Sequence, residues 1–303
     1  GAVERTAASI FADSVNVLDF GAVWDDSTDD SVAVQAAVDF AGQNNCELKL
    51  PPGTGRFSNI SVDTTYQGLS ISGVGKRRTF DGTGATQKLT FGQVDSSSGE
   101  LLQSSYSVSE CYINDLDWSL ANTAKSLISI AATSISNCQF LNHYGTAATG
   151  FTVSPYYIQS QGTGSYFNNK FSGWFVNSNN SATAPMVRMD DISGGATNGA
   201  NEFSDIVFEL CANGGAIHAS SIRQSKFERI FCDDSSSNAA HLIHLDTAST
   251  VGSQASQYNT FIGCVSDEGD ATWKDLYVEA VAGSQTVMIN CRFDYVDIEA
   301  SPY

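Results

Sequence analysis

The chain of 303 residues is long enough for two ordinary domains or for one elongated domain. Hydrophobic residues make up 42% of it and aromatic residues 11%, which provides for a large core and excludes global disorder. The 33 acidic residues outnumber the 15 basic ones, and the resulting net charge of −18 disfavours binding to nucleic acid or to an anionic membrane surface.

The first predicted element is a helix of about three turns over residues 31–42. Apolar residues recur there with the spacing i, i+3, i+4 and i+7: Val34, Ala37, Val38 and Ala41. Asp29 and Asp30 precede the helix as N-cap candidates, and Gly42 is a stop signal. The alternating segment 47–50, which is closed by Pro-Pro-Gly, predicts a strand.

The rest of the chain consists of short apolar runs in which a polar residue recurs two or three positions before a phenylalanine. Successive members of this series are separated by 31, 32, 24, 34 and 32 positions: Phe140, Phe171, Phe203, Phe227, Phe261 and Phe293. Because these units show strand patterns and almost no helix, we predict a parallel β-helix in which like residues stack at about 4.8 Å. The alternative is a Greek-key or sandwich protein whose phenylalanine spacing arises by chance.

The cysteines and histidines show no metal-binding pattern. The seven cysteines are odd in number and form neither a CxxC motif nor a Cys/His cluster, so we predict reduced, buried thiols in a protein folded in a reducing cytosol. His218, His241 and His244 are candidate bases or hydrogen-bond donors, but without spaced partners they are weak evidence for a metal. We therefore predict no metal site and no cofactor.

No apolar run is long enough to span a bilayer, and we predict no membrane insertion.

The N-terminal fifth contains a recognisable series of motifs: VLDFGAV at 17–23, TDD at 28–30, QAA at 35–37 and LPPGT at 50–54. Together they resemble the opening of the pectate-lyase-like superfamily, and residues 5–15 are similar to the lead-in found before the same motif in phage tail proteins. This chain departs from the family at Trp24-Asp25-Asp26, where Gly-Asp-Gly is usual, and at Gly55, where an aromatic residue is favoured.

The resemblance implies a right-handed parallel β-helix at 17–303, preceded by an attachment segment at 1–16. The helix at about 31–42 would close the open end of the first coil, with Asp29 and Asp30 satisfying free N–H groups at its start. It also implies a phage tailspike or tail-fibre protein that binds a bacterial surface polysaccharide as a homotrimer. Such a protein would be assembled in the host cytoplasm, reside in the virion and contact other tail proteins through its N-terminal segment.

Alignment of the repeats on phenylalanine places acids at one register. The residues six positions after each phenylalanine are Thr146, Asn177, Glu209, Asp233, Asp267 and Glu299. Neighbouring carboxylates would lie about 5 Å apart and next-but-one carboxylates about 10 Å apart, which suits the acid pairs of glycoside hydrolysis. We take Glu209, Asp233 and Asp267 as candidate catalytic residues. The alternative is that they are turn residues directed into water.

Glycan binding also needs flat aromatic faces and polar groups. Tyr156 and Tyr157 follow a proline in a segment with loop character, and Trp273 lies close after Glu268, so we take these four residues as glycan-binding candidates. Trp174 stands where its counterparts are apolar, and we expect it in the core.

Three functions remain open at this point. The first is a tailspike that binds, and as a depolymerase hydrolyses, a surface polysaccharide. The second is a structural virion shaft or adaptor without catalysis. The third is a secreted polysaccharide lyase, which the unpaired cysteines and the lack of a secretory pattern at residues 1–6 disfavour.

Overall fold

Parallel strands wind into a right-handed β-helix in the computed structural model of this chain. The structure describes residues 13–57, 60–63, 66, 68–73, 80–81, 89–91, 107–120, 126–147, 153–160, 166–177, 183–191, 198–209, 215–233, 241–246, 256–267, 275–281, 285–294 and 296–301. Among them there is one α-helix, and no helix has the length and apolarity needed to cross a bilayer. The predicted fold class is confirmed.

Two large sheets make up most of the described solenoid. Sheet 1 has nine strands: Ile60–Val62, Leu89–Phe91, Ile128–Ala132, Tyr156–Ser160, Val187–Asp191, Ile217–Ser220, Ile243–Asp246, Leu276–Val281 and Val296–Ser301. Sheet 2 has 17 strands and bends into two halves. Five short strands lie between sheet 1 and sheet 2: Ser107–Ser109, Ser134–Ser136, Tyr166–Phe167, Asn198–Gly199 and Ile222–Arg223.

The two halves of sheet 2 are named here by the residues they contain. The phenylalanine half has the strands Ser14–Asn16, Glu47–Lys49, Ser70–Ser72, Tyr112–Asn114, Gln139–Leu141, Lys170–Ser172, Thr260–Ile262 and Val287–Ile289. The acid half has the strands Asp25–Asp29, Thr54–Arg56, Phe80–Asp81, Asp117–Leu120, Tyr144–Ala147, Phe175–Asn177 and Val265–Asp267. Two long strands, Glu202–Glu209 and Lys226–Asp233, run through both halves.

The predicted phenylalanine ladder fills the core under the phenylalanine half. Phe140, Phe171, Phe203, Phe227 and Phe261 are partners in successive parallel pairs. All five are buried, their ring centroids lie 4.7–5.1 Å apart, and neighbouring planes are within 12°. This spacing matches the separation of hydrogen-bonded strands, so the strand pairing itself holds the rings in stacking contact.

The last repeat differs from the prediction. Met288, and not Phe293, is the partner of Phe261 in the sheet, while Phe293 meets Phe261 edge to face at 6.2 Å. The reason is Asn290, the polar residue that stands three positions before Phe293. It has a φ of 51° and forms the turn after Met288 instead.

Two corners with left-handed backbone bracket every strand of the ladder from Ile113 to Phe261. The first corner lies three residues before the ladder residue, at Glu110, Asn137, Asn168, Ala200, Gln224 and Tyr258. The second lies two residues after it, at Asp115, Asn142, Gly173, Asp205, Arg229 and Gly263. Their φ values run from +46° to +73°, a region that asparagine, aspartate and glycine tolerate best. Because both corners are fixed, the strand between them keeps its length in these coils.

Buried polar side chains connect successive coils at the first corner. Asn169 Oδ1 accepts the N–H of Cys138 at 3.0 Å, and Asn201 Oδ1 accepts the N–H of Asn169 at 3.1 Å. The series continues with Ser225 Oγ and Asn259 Oδ1, which accept from the backbone of the preceding coil at 3.1 and 3.0 Å. This is the polar ladder that the sequence predicted, and it satisfies backbone groups that the turn removes from the sheet.

The helix α1, Ser31–Asn44, lies at the N-terminal end of the solenoid and buries the four predicted apolar residues. It continues two residues beyond the predicted end and stops at Asn45, whose φ is 50°. Gly42 is therefore not the stop signal. It lies inside the helix, where the Tyr66 ring occupies the space that a Cβ would need.

The two aspartates before α1 have different roles. Asp29 Oδ1 accepts the N–H of Ser31 at 3.0 Å, as expected of a capping residue. Asp30 makes no side-chain bond to the helix, contrary to the expectation. Its buried carboxylate accepts the N–H groups of Val23 and Trp24 at 2.7 and 3.1 Å and so fixes the preceding loop.

The loop at Trp24 accounts for both departures from the pectate-lyase-like pattern. Trp24 has a φ of 59°, is buried, and stacks on Phe57 with ring centroids 6.1 Å apart. Its ring occupies the space above Gly55, so that a Cβ at Gly55 would overlap it. An aromatic side chain from position 24 thus covers Gly55.

Part of the predicted attachment segment belongs to the solenoid. Ser14–Asn16, which the prediction placed in that segment, is a strand paired with Glu47–Lys49, while residues 1–12 lie outside the described ranges.

The six described cysteines are free thiols and five of them are buried; Cys291 is half-buried, and Cys211 lies outside the described ranges. Burial raises the pKa of the Cys138 thiol to about 11 and that of Cys264 to about 12.

Candidate functional site

The acid half of sheet 2 places Glu209, Asp233 and Asp267 at one backbone register. Thr146 pairs with Asn177 and Asn177 with Glu209. Glu209 pairs with Asp233, and Asp233 with Asp267. Adjacent members therefore lie one strand spacing apart, about 4.8 Å, and Glu209 and Asp267 lie about twice that distance apart along the solenoid.

Glu299 does not belong to this column. It lies in Val296–Ser301, a strand of sheet 1, where its partner is Glu279. The prediction placed it by counting six residues from Phe293, which is not on the ladder, so the error at Phe293 carried over to Glu299.

Glu209 is half-buried and accepts a hydrogen bond from Asn177 Nδ2 at 3.2 Å. Val176 and Phe208, the residues just before Asn177 and Glu209, are fully buried. Since side chains alternate along a strand, Asn177 and Glu209 face outward. The register gives Asp233 and Asp267 equivalent backbone positions.

An apolar stripe runs beside the acid column, two residues earlier in each strand. Its members are half-buried and paired in order: Tyr144, Phe175, Val207, Phe231 and Val265. The rings of Tyr144 and Phe175 stack with centroids 4.9 Å apart and planes within 9°. The outer surface of this half thus presents an apolar row next to a polar one.

The predicted glycan-binding residues do not lie together on one surface. Tyr156 is a core residue and was wrongly predicted as a surface residue: it is 1% exposed and stacks on Trp174 at 4.2 Å. Its hydroxyl accepts from Trp118 Nε1 at 2.9 Å and lies 2.8 Å from His143 Nδ1. Trp174 is buried as predicted. Trp273 and Glu268 lie outside the described residues.

Tyr157 faces outward on sheet 1, because the alternation that buries Tyr156 exposes its neighbour. Its hydroxyl donates to Asp190 Oδ2 at 2.9 Å, and the Arg188 guanidinium lies 5.2 Å above its ring. Arg188 Nε also donates to Asp190 Oδ2, at 2.8 Å. Arg188 and Asp190 thus form an ion pair on the outer surface.

Further along the same outer row of sheet 1 lies a cluster that we call the histidine patch: His218, His241, His244, Asp246 and Tyr277. His218 pairs in register with His244, and His244 with Tyr277. The His218 and His244 rings stack with centroids 4.4 Å apart, and His218 Nε2 lies 2.9 Å from Asp246 Oδ2. His241 stacks on Tyr277 at 4.8 Å.

Burial is the main cause that lowers the pKa of His244 to about 4, and the neighbouring His218 lowers it further. His244 is therefore a neutral imidazole at pH 7, so one ring nitrogen retains a lone pair. The patch combines this imidazole with a carboxylate and an aromatic wall.

The three histidines were predicted as candidate bases or donors, but the sequence did not predict that they lie next to one another. His244 and Asp246 alternate with buried Ile243 and Leu245, which predicts that both face outward from one strand. Their alignment with His218 required the register between coils, and coil lengths vary from 24 to 34 residues.

No family model matches the chain, and no curated protein matches it. Among solved structures, ORF18 of Geobacillus virus E2 is similar over 93% of this chain and 62% of its own, at 15% identity and a TM-score of 0.47. An iota-carrageenase complexed to iota-carrageenan fragments is similar over 84% of this chain and 57% of its own, at 13% identity and a TM-score of 0.45. The A-module of mannuronan C-5 epimerase AlgE4 from Azotobacter vinelandii is similar over 96% and 99%, at 13% identity and a TM-score of 0.34.

This chain spans less than two thirds of the viral protein and of the carrageenase. The chain is a right-handed parallel β-helix, the fold implied by its resemblance to the pectate-lyase-like superfamily.

Proposed function

We propose that this protein binds a bacterial surface polysaccharide along the outer surface of the acid half and hydrolyses it with Glu209, Asp233 and Asp267. The observation behind the proposal is the parallel register that aligns these three acids on consecutive coils. A rigid sheet keeps such groups at fixed separations, which acid/base chemistry requires.

The spacing admits two forms of hydrolysis. Neighbouring acids about 5 Å apart suit a retaining mechanism, in which one carboxylic acid protonates the glycosidic oxygen and the other carboxylate attacks the anomeric carbon. Glu209 and Asp267, about two strand spacings apart, approach the wider separation of an inverting pair, which leaves room for the attacking water. The anomeric configuration of the product distinguishes the two.

The apolar stripe supports binding of an extended chain. Tyr144 and Phe175 present the edges of their stacked rings as an apolar surface beside which sugar rings can lie, and Thr146 and Asn177 place hydrogen-bonding groups next to it. The stripe and the acid column run parallel along the solenoid, so successive sugars would contact the same two rows.

We further propose that the protein is a phage tailspike or tail fibre. Its support is the N-terminal series of motifs and the lead-in that resembles those of phage tail proteins. In this role the protein is a homotrimer in the virion, attached to other tail proteins through residues 1–16. A virion shaft without catalysis is the alternative outcome of the test below.

The test is a screen of the protein against surface polysaccharides of candidate hosts, with a reducing-end assay for cleavage and NMR for the product anomer. We expect Glu209→Gln, Asp233→Asn and Asp267→Asn to reduce cleavage by at least about 100-fold for the residues that act as acid, base or nucleophile. Glu202→Gln is the matched control, because Glu202 is a half-buried acid on the phenylalanine half, 3.2 Å from Lys170.

Binding without cleavage in the wild-type protein would leave a glycan-binding shaft and exclude the hydrolase. Absence of binding to every host polysaccharide would contradict the proposal as a whole. Products with unsaturated ends that absorb ultraviolet light would identify a lyase instead.

A further inference from the structure

We propose that the histidine patch binds a divalent transition-metal ion, with Zn²⁺ as the best fit, through His218, His244 and Asp246. This inference does not depend on the proposed function, because the patch lies on sheet 1 and the acid column on sheet 2. It departs from the sequence analysis, which predicted no metal site.

The fold brings the three side chains to one point. His218 and His244 are register partners on adjacent strands, and Asp246 follows His244 by two residues and so faces the same way. One ligand atom from each residue lies within 4.8 Å of the other two. Tetrahedral coordination at about 2.1 Å requires donor atoms about 3.4 Å apart, so modest side-chain rotations bring the set together.

The carboxylate of Asp246 has an open acceptor. Oδ2 lies 2.9 Å from His218 Nε2, whereas Oδ1 is shielded from solvent and has no hydrogen-bond partner among the described residues. A shielded carboxylate oxygen without a partner costs free energy, and a cation at this position would remove that cost. The unsatisfied Oδ1 of Asp246 thus indicates a bound cation independently of the convergence of the three side chains.

The donor set and its surroundings favour zinc over calcium or magnesium. Two imidazoles and one carboxylate are common zinc ligands, whereas calcium and magnesium prefer oxygen donors throughout. His241 and Tyr277 stack on each other, and both rings meet His244 edge to face. Arg188 precedes His218 in the same row, but its charge is offset by the ion pair with Asp190. On metal binding, Nε2 of His218 would exchange its contact with Asp246 for the metal, with the proton held on Nδ1.

The experiment is a calorimetric titration of the whole protein, freed of metal by chelation, with Zn²⁺, and a Co²⁺ titration followed by visible absorption. We expect one Zn²⁺ per chain and an intense tetrahedral Co²⁺ spectrum. His218→Ala, His244→Ala and Asp246→Asn should each weaken Zn²⁺ binding by at least about 100-fold, which exceeds the usual effect of losing an outer-shell partner.

Asp297→Asn is the control, because Asp297 pairs with Tyr277 in the same outer row of sheet 1 and is not a proposed ligand. Equal loss of binding in Asp297→Asn and Asp246→Asn would show nonspecific attraction to an acidic surface and would overturn the proposal. Wild-type affinity in both histidine variants, or no saturable binding at all, would also overturn it. Melting curves of each variant without metal separate lost ligands from lost folding.

Discussion

The buried asparagines of the first corner show how a single side chain serves two coils. Asn201 Oδ1 accepts both the backbone N–H and the side-chain Nδ2 of Asn169, at 3.1 and 3.0 Å. Its own Nδ2 donates to the carbonyl of Tyr166 at 3.2 Å. Removing this one amide would leave donors and an acceptor in the core without partners.

We predict that Asn201→Ala lowers the free energy of unfolding by about 2–4 kcal/mol, since each buried group left unsatisfied costs about 1–3 kcal/mol. Chemical denaturation monitored by circular dichroism measures the change. Asn44→Ala is the control, because the Asn44 amide makes an exposed bond to the Phe40 carbonyl. Equal effects of the two substitutions would show that the ladder does not contribute as proposed.

His143 is a second buried polar residue, and its titration gives a pH-dependent stability. Burial lowers its pKa to about 4, against about 6.5 in the unfolded chain. Nε2 lies 2.9 Å from the Ile113 carbonyl, Nδ1 lies 2.8 Å from the Tyr156 hydroxyl, and the ring stacks on Trp174. These contacts hold the neutral tautomer with the proton on Nε2.

Because the folded pKa is depressed, the neutral imidazole contributes its full stability above pH 6.5. Below pH 6.5 the unfolded state binds the proton first, and stability falls as the pH approaches 4, by about 3 kcal/mol from this residue. His143→Gln keeps a donor and an acceptor but does not titrate, so its unfolding free energy should change less over this range. His244 titrates similarly and remains in both proteins. Parallel pH profiles for wild type and variant would refute the assignment.

At the scale of elements, the sequence predicted what depends on local pattern. The four apolar positions of α1, the Phe140–Phe261 ladder and the acid register follow from periodicity, and all are present. Gly42, Asp30 and Tyr156 were misassigned because the groups they contact lie outside their own elements: the Tyr66 ring, the loop at Val23, and Trp118 with Trp174. Propensity rules do not include such contacts.

The N-terminal end of the solenoid offers a test of one such contact. Gly55→Ala should destabilise the protein by a few kcal/mol, because the added methyl group overlaps the Trp24 ring. In a Trp24→Phe background the smaller ring leaves room, and the same substitution should cost at least about 1 kcal/mol less. Thermal melting of the four proteins completes the double-mutant cycle. Additive costs would mean that the two residues do not interact.

At the scale of the whole molecule, the candidate sites were only partly predictable. The acid column needed a repeat of constant offset, six positions from phenylalanine to acid, which Phe203, Phe227 and Phe261 obey. The histidine patch needed the register of sheet 1, whose distance from the next ladder residue is not constant. Counting residues therefore predicted the register of the acid column but not the alignment of the histidine patch.

The variable interval between sheet 1 and the ladder determines where the protein can accept insertions during evolution. Six residues always separate Phe203 or Phe227 from its acid, whereas the interval from a sheet 1 strand to the next ladder residue is ten from Ile217 to Phe227 and eighteen from Ile243 to Phe261. Because the interval from sheet 1 to the ladder differs by eight residues between these two coils while the ladders stay in register, we expect sequence added to it to leave every ladder in place.

A hexapeptide of glycine and serine inserted between residues 250 and 251 should therefore leave the melting temperature within a few degrees of wild type. The same insertion between residues 205 and 206, inside Glu202–Glu209, should prevent cooperative unfolding. A lineage of such proteins can thus acquire new surface appendages, and with them new specificities, while inheriting an unaltered scaffold.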